Sequence, residues 1–330
     1  MPIRDIDSAT AFSNFDQRRH SRWLQIAGAD TVDPVGSGFF RPALCKTFSL
    51  SETSAGFVLG PCFAQQIQFA LGRHQVPLRS SILDTPVERW FLQYGKNYWP
   101  LHFFHRFNPR SMLLEIENVF SETQRISSGE LIFERSDGSF SDFHYDWRFQ
   151  LPTPQECTAR RMFVRERINA LIDVDFAILT LGLIESWVDC ESGLYLNAAP
   201  TPDLLERFPS RFRLHVLSEM DVVESVTKII ELLYAKVANL KIVLMVSPIP
   251  LRATFTGVDV SIANANSKAT LLCAANKLLS VFPDVFYFPS YEIVTHSDRA
   301  TVWEPDGRHV RQEFVDRTMD LFCEEIFACK

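Results

Sequence analysis

The second half of the chain alternates between two kinds of apolar segment, and this alternation constrains the fold more than any other feature. Continuous apolar runs of strand length lie at 176–183 (FAILTLGL), 241–250 (KIVLMVSPIP) and 285–293 (VFYFPSYEI). Segments with apolar residues at helical spacing lie around them, at 158–172, 217–237, 266–282 and 310–327. Buried strands that alternate with helices are typical of a parallel sheet covered on both faces. The sequence therefore predicts an α/β fold, a three-layer sandwich with a central, mostly parallel, flavodoxin-like sheet.

The first half of the chain is less regular. Residues 1–50 are polar and broken by closely spaced Pro and Gly, so we predict an N-terminal extension that packs on the domain. Residues 56–59 predict a strand and residues 62–72 a helix, with a Gly-Pro turn between them. Residues 76–150 contain an alternating segment around an Asp-Gly pair (137–138), which predicts a β-hairpin in a small β-rich insertion or cap.

Charge and composition narrow the class of protein. The net charge of −7 argues against a nucleic-acid partner, since such proteins usually present a basic face. The 28 Phe residues indicate a thick aromatic core or an apolar cleft. The longest apolar run, 176–184, is too short to cross a bilayer, and the acidic N-terminus has no apolar core, so we expect neither a membrane span nor a secretory signal.

The cysteines indicate the compartment. Seven cysteines are scattered along the chain, in an odd number and without a CxxC or Cys/His spacing that would indicate a zinc site. Reduced thiols in a cytoplasmic protein are the simplest interpretation. His102 and His105 are three residues apart, but no third ligand accompanies them, and we predict no metal site.

Function in such a sheet sits where the strands end and the loops gather. This rule selects Gly60–Cys62, Gly182–Trp187, Ser247–Pro250 and the loop 289–309. Cys62 is placed at the head of a helix, directly after a proline that fits a first helical turn. Free N–H groups and the helix dipole at such a position favour a thiolate and predict a lowered pKa. The alternative is a small buried residue that packs the helix onto the sheet.

A thiol nucleophile needs a base, and a base needs a group that orients it. Asp306 and His309 are three residues apart near a predicted loop-to-helix junction. At that spacing the carboxylate can hold one ring nitrogen while the other faces the nucleophile. His309 can equally be a surface residue, and His296 is a second candidate for the base. A nucleophile after the first strand and an Asp-x-x-His before the last helix is the layout of the SGNH-type hydrolases.

Several segments resemble the GSCFA family. LGPCFAQQI (59–67) is similar to the block that names the family, usually Gly-Ser-Cys-Phe-Ala. Further segments resemble its other blocks in the expected order: 93–98 (QYGKNY), 176–189 (FAILTLGLIESWVD), 246–257 (VSPIPLRATFTG), 265–272 (ANSKATLL) and 287–294 (YFPSYEIV). The resemblance covers most of the chain and implies a single SGNH-like domain over residues 51–330, with the insertion at about 76–150.

The resemblance also implies roles for individual residues. Gly60, Pro61 and Cys62 match the Gly-Asp-Ser block of SGNH hydrolases, so Cys62 stands at the nucleophile, and Asp306 and His309 match the Asp-x-x-His block. The remaining residues implied to form the oxyanion or substrate site are Gly95, Asn97, Gly182 and Glu185. Glu185 can instead be a structural carboxylate. The chain departs from the pattern at Pro61, where the family has Ser, and after Gly182, where SGNH hydrolases have an Asn.

Two functions follow as expectations. The first is an acyl-transfer enzyme with a Cys-His-Asp triad, either an ester hydrolase or an O-acyltransferase, acting on a small-molecule or glycan substrate. It needs no resident cofactor, and acyl-coenzyme A is the natural donor for a transferase. The second is a catalytically silent binding or scaffold protein on the same fold, which Pro61 and the missing Asn favour.

Overall fold

The structure of the protein is a computed structural model that describes residues 4–17, 38–80, 104–121, 126, 129–145 and 150–327. The strands in these ranges are β1 (Gly56–Leu59), β2 (Ile132–Glu134), β3 (Phe140–Asp142), β4 (Phe176–Leu181), β5 (Glu185–Asp189), β6 (Leu194–Tyr195), β7 (Phe212–Val216), β8 (Lys241–Val246) and β9 (Phe286–Tyr287). The helices are α1 (Ser8–Gln17), α2 (Cys62–Arg73), α3 (Pro109–Phe120), α4 (Pro154–Asn169), α5 (Pro202–Arg207), α6 (Glu219–Lys236), α7 (Val260–Val281), α8 (Ser290–His296), α9 (Arg299–Val302) and α10 (Gln312–Ile326), with a 3-10 turn at Ala170–Asp173.

The central sheet is parallel and has the strand order β1-β4-β8-β9. A further parallel bridge joins Leu78 to Gly56 on the outer side of β1. All six residues of β4 are buried, as the uninterrupted apolar run predicts for a strand covered on both faces. The predicted α/β class and central parallel sheet are confirmed.

Alternate residues of the strands feed two separate core layers. Ala177 and Leu179 of β4 pack with α3, α4, α6 and α7 on one face. Ile178, between them, packs with α2, α8 and α10 on the other face. Because side chains alternate across a strand, this division produces three layers. Burying each large aliphatic side chain in them contributes about 1.5–3 kcal/mol.

Helix ends follow their capping residues. Ser218 caps α6 in a capping box, since its Oγ accepts from Asp221 N at 3.3 Å and Asp221 accepts from Ser218 N at 2.9 Å. Asp259 caps α7 and accepts from Ser261 N at 2.8 Å, so this helix begins six residues before the predicted segment at 266. Around the cap, Val258, Val260 and Ile262 alternate with polar residues, so the start of the helix shows no helical spacing of apolar residues.

The strand predicted at 285–293 is mostly wrong. Only Phe286–Tyr287 form β9, and Ser290 begins α8. The Ser290 hydroxyl donates to Val246 O at 2.9 Å, which ties the start of α8 to the end of β8. The chain therefore leaves the sheet early and continues as a helix that packs on the same face as α2 and α10.

The segment 104–145 combines a hairpin with a helix. Strands β2 and β3 pair in antiparallel register around Gly138, whose φ is 80°, so the predicted hairpin is confirmed. Helix α3 was not predicted. Asn108 caps it by accepting from Ser111 N at 2.8 Å, with proline at the first position. The aromatic residues before this cap obscured the helical signal, and a β-rich insertion is therefore an incomplete description.

A second antiparallel sheet of order β6-β5-β7 follows β4 directly and was also not predicted. Its strands are short, and Glu185 and Trp187 of β5 line the cavity described below. In the N-terminal segment, Phe39 packs on Phe314 with ring centroids 5.3 Å apart. Leu50 forms a bridge with Phe327.

No helix in the described part of the chain has the length and apolarity needed to cross a membrane.

Candidate active site

A cavity of about 590 Å³ opens at the carboxyl edge of the central sheet. The loops after β1, β4 and β8 form its walls, and the 304–310 turn contributes Arg308 and His309. Cys62, Gly182 and Glu185 line the same cavity. The structure thus brings residues from all four of the predicted loop positions together, as expected for parallel strands whose carboxyl ends meet at one edge.

Cys62 is the first residue of α2, as predicted. The turn before it requires glycine at position 60, where φ is 156° and a Cβ atom would lie 2.7 Å from Thr180 O. Pro61 occupies the cap position, and its carbonyl accepts from Ala64 N at 2.8 Å. The missing N–H of the proline therefore falls outside the first helical turn, and its ring forms part of the cavity wall.

The predicted lowering of the Cys62 pKa is wrong. Burial raises the pKa of this thiol, and this effect exceeds the opposing effects of Arg308, Lys268 and the N–H groups of Phe63 and Cys62. The sequence shows the helix start, but it does not show that the side chain is half-buried in the cavity wall. The resting group is therefore the thiol, and attack on a carbonyl requires a base to remove its proton.

Asp306 and His309 form a hydrogen-bonded pair. His309 Nδ1 lies 2.5 Å from Asp306 Oδ2, and Asp306 Oδ1 accepts from the backbone N–H groups of Arg308 and His309, both at 2.9 Å. These N–H groups and the imidazole hold the pKa of the Asp306 carboxyl well below its usual range. The carboxylate thus fixes both the turn and the ring that the turn carries.

Arg308 lies beside this pair and was not singled out from the sequence. Its Nη1 is 2.9 Å from His309 Nε2, and its Nε donates to Pro250 O at 3.1 Å. A guanidinium group has donors only, so Nε2 accepts and the proton of the neutral imidazole sits on Nδ1. This is the tautomer that a general base needs, but the Nε2 lone pair is directed at Arg308.

Lys268 was also not singled out, although it falls in one of the segments that carry the family resemblance. It lies on α7 in the buried interior, and its Nζ donates to Gly182 O at 2.8 Å. Burial lowers the pKa of Lys268 to about 7. Gly182 is required here, because a Cβ atom at that position would clash with Phe107 O. The predicted site residue Gly182 therefore links the cavity wall to a buried amine.

Glu185 lines the cavity and binds the loop after β8. Its carboxylate accepts from Thr254 Oγ1 at 2.5 Å and from Phe255 N at 3.0 Å. Trp187 packs edge-on against Phe255, with centroids 5.4 Å apart. These contacts anchor the loop after β8 to β5 and so shape the mouth of the cavity.

Asn197 is a further cavity residue that sequence reasoning missed. Its Oδ1 accepts from Phe107 N and from Ser111 Oγ, both at 2.9 Å, and its Nδ2 donates to His105 O at 2.8 Å. It therefore fixes the segment that carries His105, whose Nε2 lies 3.0 Å from Gln65 Oε1. No motif around Asn197 indicates this contact, because its partners are some 90 positions earlier in the chain.

The other candidates are placed as follows. Gly95, Asn97 and His102 lie outside the described residues. His296 packs against Phe40 with centroids 5.3 Å apart and is not part of the cavity wall. Within the described ranges, no group of three His, Cys, Asp or Glu residues has the arrangement of a metal site.

The sequence model of the GSCFA family matches residues 56–322, which is most of the chain and includes Cys62, Asp306 and His309. No curated protein sequence matches the chain significantly.

Proposed function

Because the chain belongs to the GSCFA family, we propose that it is an acyl-transfer enzyme with Cys62 as nucleophile, His309 as general base and Asp306 as the residue that positions the imidazole. The observation that carries the proposal is the Asp306–His309 pair on the wall of the same cavity as Cys62. The segments that resemble the family match the SGNH hydrolase plan in the same residues.

The reaction proceeds in two steps. His309 Nε2 takes the Cys62 proton while the sulfur attacks an ester or thioester carbonyl, and the resulting imidazolium then protonates the leaving alcohol or thiol. This leaves an acyl thioester on Cys62. Water or an acceptor hydroxyl, deprotonated by His309, then attacks that thioester and releases the acyl product and the thiol. Asp306 stabilises the imidazolium in both steps.

The start of α2 supplies electrostatic stabilisation. The tetrahedral intermediate carries a negative oxygen, which the backbone N–H of Cys62 and the positive end of the helix dipole stabilise. Gly95 and Asn97 stay predictions for the second donor. Lys268 adds positive charge beneath this position when it is protonated.

The molecule that accepts the acyl group distinguishes a hydrolase from an O-acyltransferase: it is water in the first and a hydroxyl group in the second. A cavity of about 590 Å³ is in the usual size range for a small-molecule site. We propose a small-molecule or glycan ester as the substrate, no resident cofactor, and acyl-coenzyme A as donor if the acceptor is a sugar hydroxyl. A reducing compartment keeps a free thiol from oxidising, and we propose a cytoplasmic location on that ground.

One observation favours the second candidate, a catalytically silent binding protein. Arg308 Nη1 donates a hydrogen bond to His309 Nε2, whose lone pair must be free to accept the Cys62 proton in the proposed mechanism. In the silent protein this contact is permanent, whereas in the enzyme it breaks when substrate binds.

Hydrolysis of a panel of 4-nitrophenyl esters and acyl-coenzyme A thioesters separates the two functions. We expect Cys62→Ala to abolish turnover and His309→Gln to lower kcat/KM by about 10²–10⁴-fold, the usual contribution of a general base. Cys273→Ala is the matched control, since Cys273 is an exposed thiol on α7. Turnover that persists in Cys62→Ala would refute the triad, and absence of turnover with every ester would favour the silent protein.

A further inference from the structure

Arg308 lies on the cavity wall, and its guanidinium group forms no ion pair with a carboxylate of the described residues. Its Nε donates to a carbonyl and its Nη1 to a neutral imidazole, and neither partner carries a negative charge. Cys62 does not neutralise it either, because burial keeps that group in the thiol form. The guanidinium group keeps N–H donors available on the cavity side of the turn.

The other charged groups around the cavity make it more cationic. Arg252 lines the wall of the cavity, and the buried Lys268 lies close enough to act electrostatically on both Arg308 and Cys62. The one carboxylate in the described wall is Glu185, whose two oxygens already bind Thr254 and Phe255. Asp306 is bonded to His309 and to backbone N–H groups, so an anion that enters the cavity meets two guanidinium groups, Arg308 and Arg252, that form no ion pair within the described residues.

Backbone and side-chain hydrogen bonds hold the turn around Arg308. Asp306 Oδ1 accepts from the backbone N–H of Arg308, and Glu304 N donates to His309 O at 2.8 Å. Gly307 supplies the positive φ of 66° that closes this turn. The guanidinium is thus held next to His309 by the same backbone that fixes the imidazole, and it can move only by rotation of its own side chain.

We propose that Arg308 is a specificity-determining residue that binds a carboxylate of the substrate, close to the carbonyl that Cys62 attacks. This inference rests on the proposed function for the identity of the attacked group. A carboxylate pairs with the planar guanidinium through two parallel hydrogen bonds. Such pairing draws Nη1 away from His309 Nε2 and frees the lone pair that receives the thiol proton. The enzyme thus acts on anionic acyl esters or thioesters and discriminates against neutral ones.

Two alkylating reagents of nearly equal size test the charge preference without any turnover. Iodoacetate and iodoacetamide react in the same way: the Cys62 sulfur displaces iodide, a C–S bond replaces the C–I bond, and the thiol proton passes to His309 or buffer. Because both reagents need the same thiolate, the ratio of their rates at Cys62 does not depend on how much thiolate is present. Peptide mass spectrometry gives each rate, and the exposed Cys273 in the same sample gives the reference ratio.

We expect the iodoacetate-to-iodoacetamide ratio at Cys62 to exceed that at Cys273 by at least about tenfold, the effect of one charge-assisted hydrogen-bond pair. Arg308→Gln should bring the ratio down to the Cys273 value, and Arg308→Lys should keep it above that of Arg308→Gln. Arg213→Gln is the matched control, because Arg213 is exposed on β7 and outside the cavity wall. Buried Cys157 stays unlabelled in every variant that is folded.

An unchanged ratio in Arg308→Gln would overturn the proposal. This outcome includes a parallel fall of both rates, since Arg308 would then act only on the thiol. The result is separable from the proposed function, because alkylation proceeds in a protein that turns over no ester. If ester turnover is found, a 4-nitrophenyl hemisuccinate should be preferred to the neutral pentanoate in the wild type, and Arg308→Gln should remove that preference.

Discussion

Replacing the buried Lys268 by methionine should stabilise the protein at neutral pH and change how its stability depends on pH. Burial is the main effect that lowers the pKa of Lys268 from 10.5 to about 7; Cys62 opposes it and Arg308 adds to it. The unfolded chain therefore binds a proton at Lys268 that the folded chain releases between about pH 7 and pH 10.5. Because the unfolded state binds more protons in this window, wild-type stability rises with pH there.

The magnitude follows from the two pKa values. The difference between 10.5 and about 7 corresponds to a cost of about 5 kcal/mol below pH 7, at about 1.4 kcal/mol per pKa unit. Half of the folded molecules still carry the proton at pH 7, so raising the pH from 7 to 9 removes about 2 kcal/mol of this cost. Methionine is of similar length and has no charge to bury, at the loss of one hydrogen bond to Gly182 O, worth about 1 kcal/mol.

Urea unfolding at pH 7, 8 and 9 measures the effect, in a Cys62→Ala background that removes the coupled thiol. We expect Lys268→Met to be more stable than its parent at pH 7. The difference between their free energies of unfolding should narrow by about 2 kcal/mol at pH 9. Lys277→Met is the control, because Lys277 is exposed on the same helix. A gap that is constant across this pH range, or that widens, would refute the assignment of Lys268 as a buried amine with a lowered pKa.

Three further changes test the walls of the site. Gly182→Ala should cost about 2 kcal/mol of stability through the clash with Phe107 O, whereas Gly72→Ala, with open space around its Cβ, should add about 0.5 kcal/mol; equal unfolding midpoints would contradict this. Glu185→Ala should release the loop after β8 and speed tryptic cleavage after the exposed Arg252, and an unchanged cleavage rate would show that other contacts hold the loop. Asp306→Asn removes the negative charge that stabilises the imidazolium and should lower kcat/KM for any ester substrate by about 10²–10⁴-fold, so full activity would exclude its role.

Elements with a strong periodic signal could be predicted from the sequence. The local sequence is enough to predict strand β4 and the helix cap at Ser218. The apolar run of β4 and the capping box at Ser218 are each formed by residues that are neighbours in the chain. The edges of the fold could not be predicted in this way. Helix α8 replaces a predicted strand because Ser290 bonds to the end of β8, a tertiary contact that outweighs the β-propensity of the segment.

The residues of the candidate site also differ in whether the local sequence or the tertiary structure reveals them. Cys62, Asp306 and His309 stand out because each lies in a local motif, at a helix start or at a three-residue spacing. Arg308 lies in the same turn, but nothing in the sequence shows that its side chain reaches His309 Nε2. Lys268 contacts Gly182, 86 positions away, so its burial becomes visible only in the folded chain. The prediction of a lowered pKa for Cys62 was wrong for the same reason, because the burial of a side chain depends on tertiary contacts.

The most direct test of the central claim is to trap the acyl group on Cys62. The protein is mixed with an acyl donor, quenched in acid before steady state, and mapped by peptide mass spectrometry with and without neutral hydroxylamine, which cleaves thioesters. The account predicts a hydroxylamine-sensitive acyl adduct on the Cys62 peptide, at a rate well above that of the exposed Cys45 and Cys190. An adduct spread evenly over the exposed thiols, or turnover with no adduct on Cys62, would contradict it.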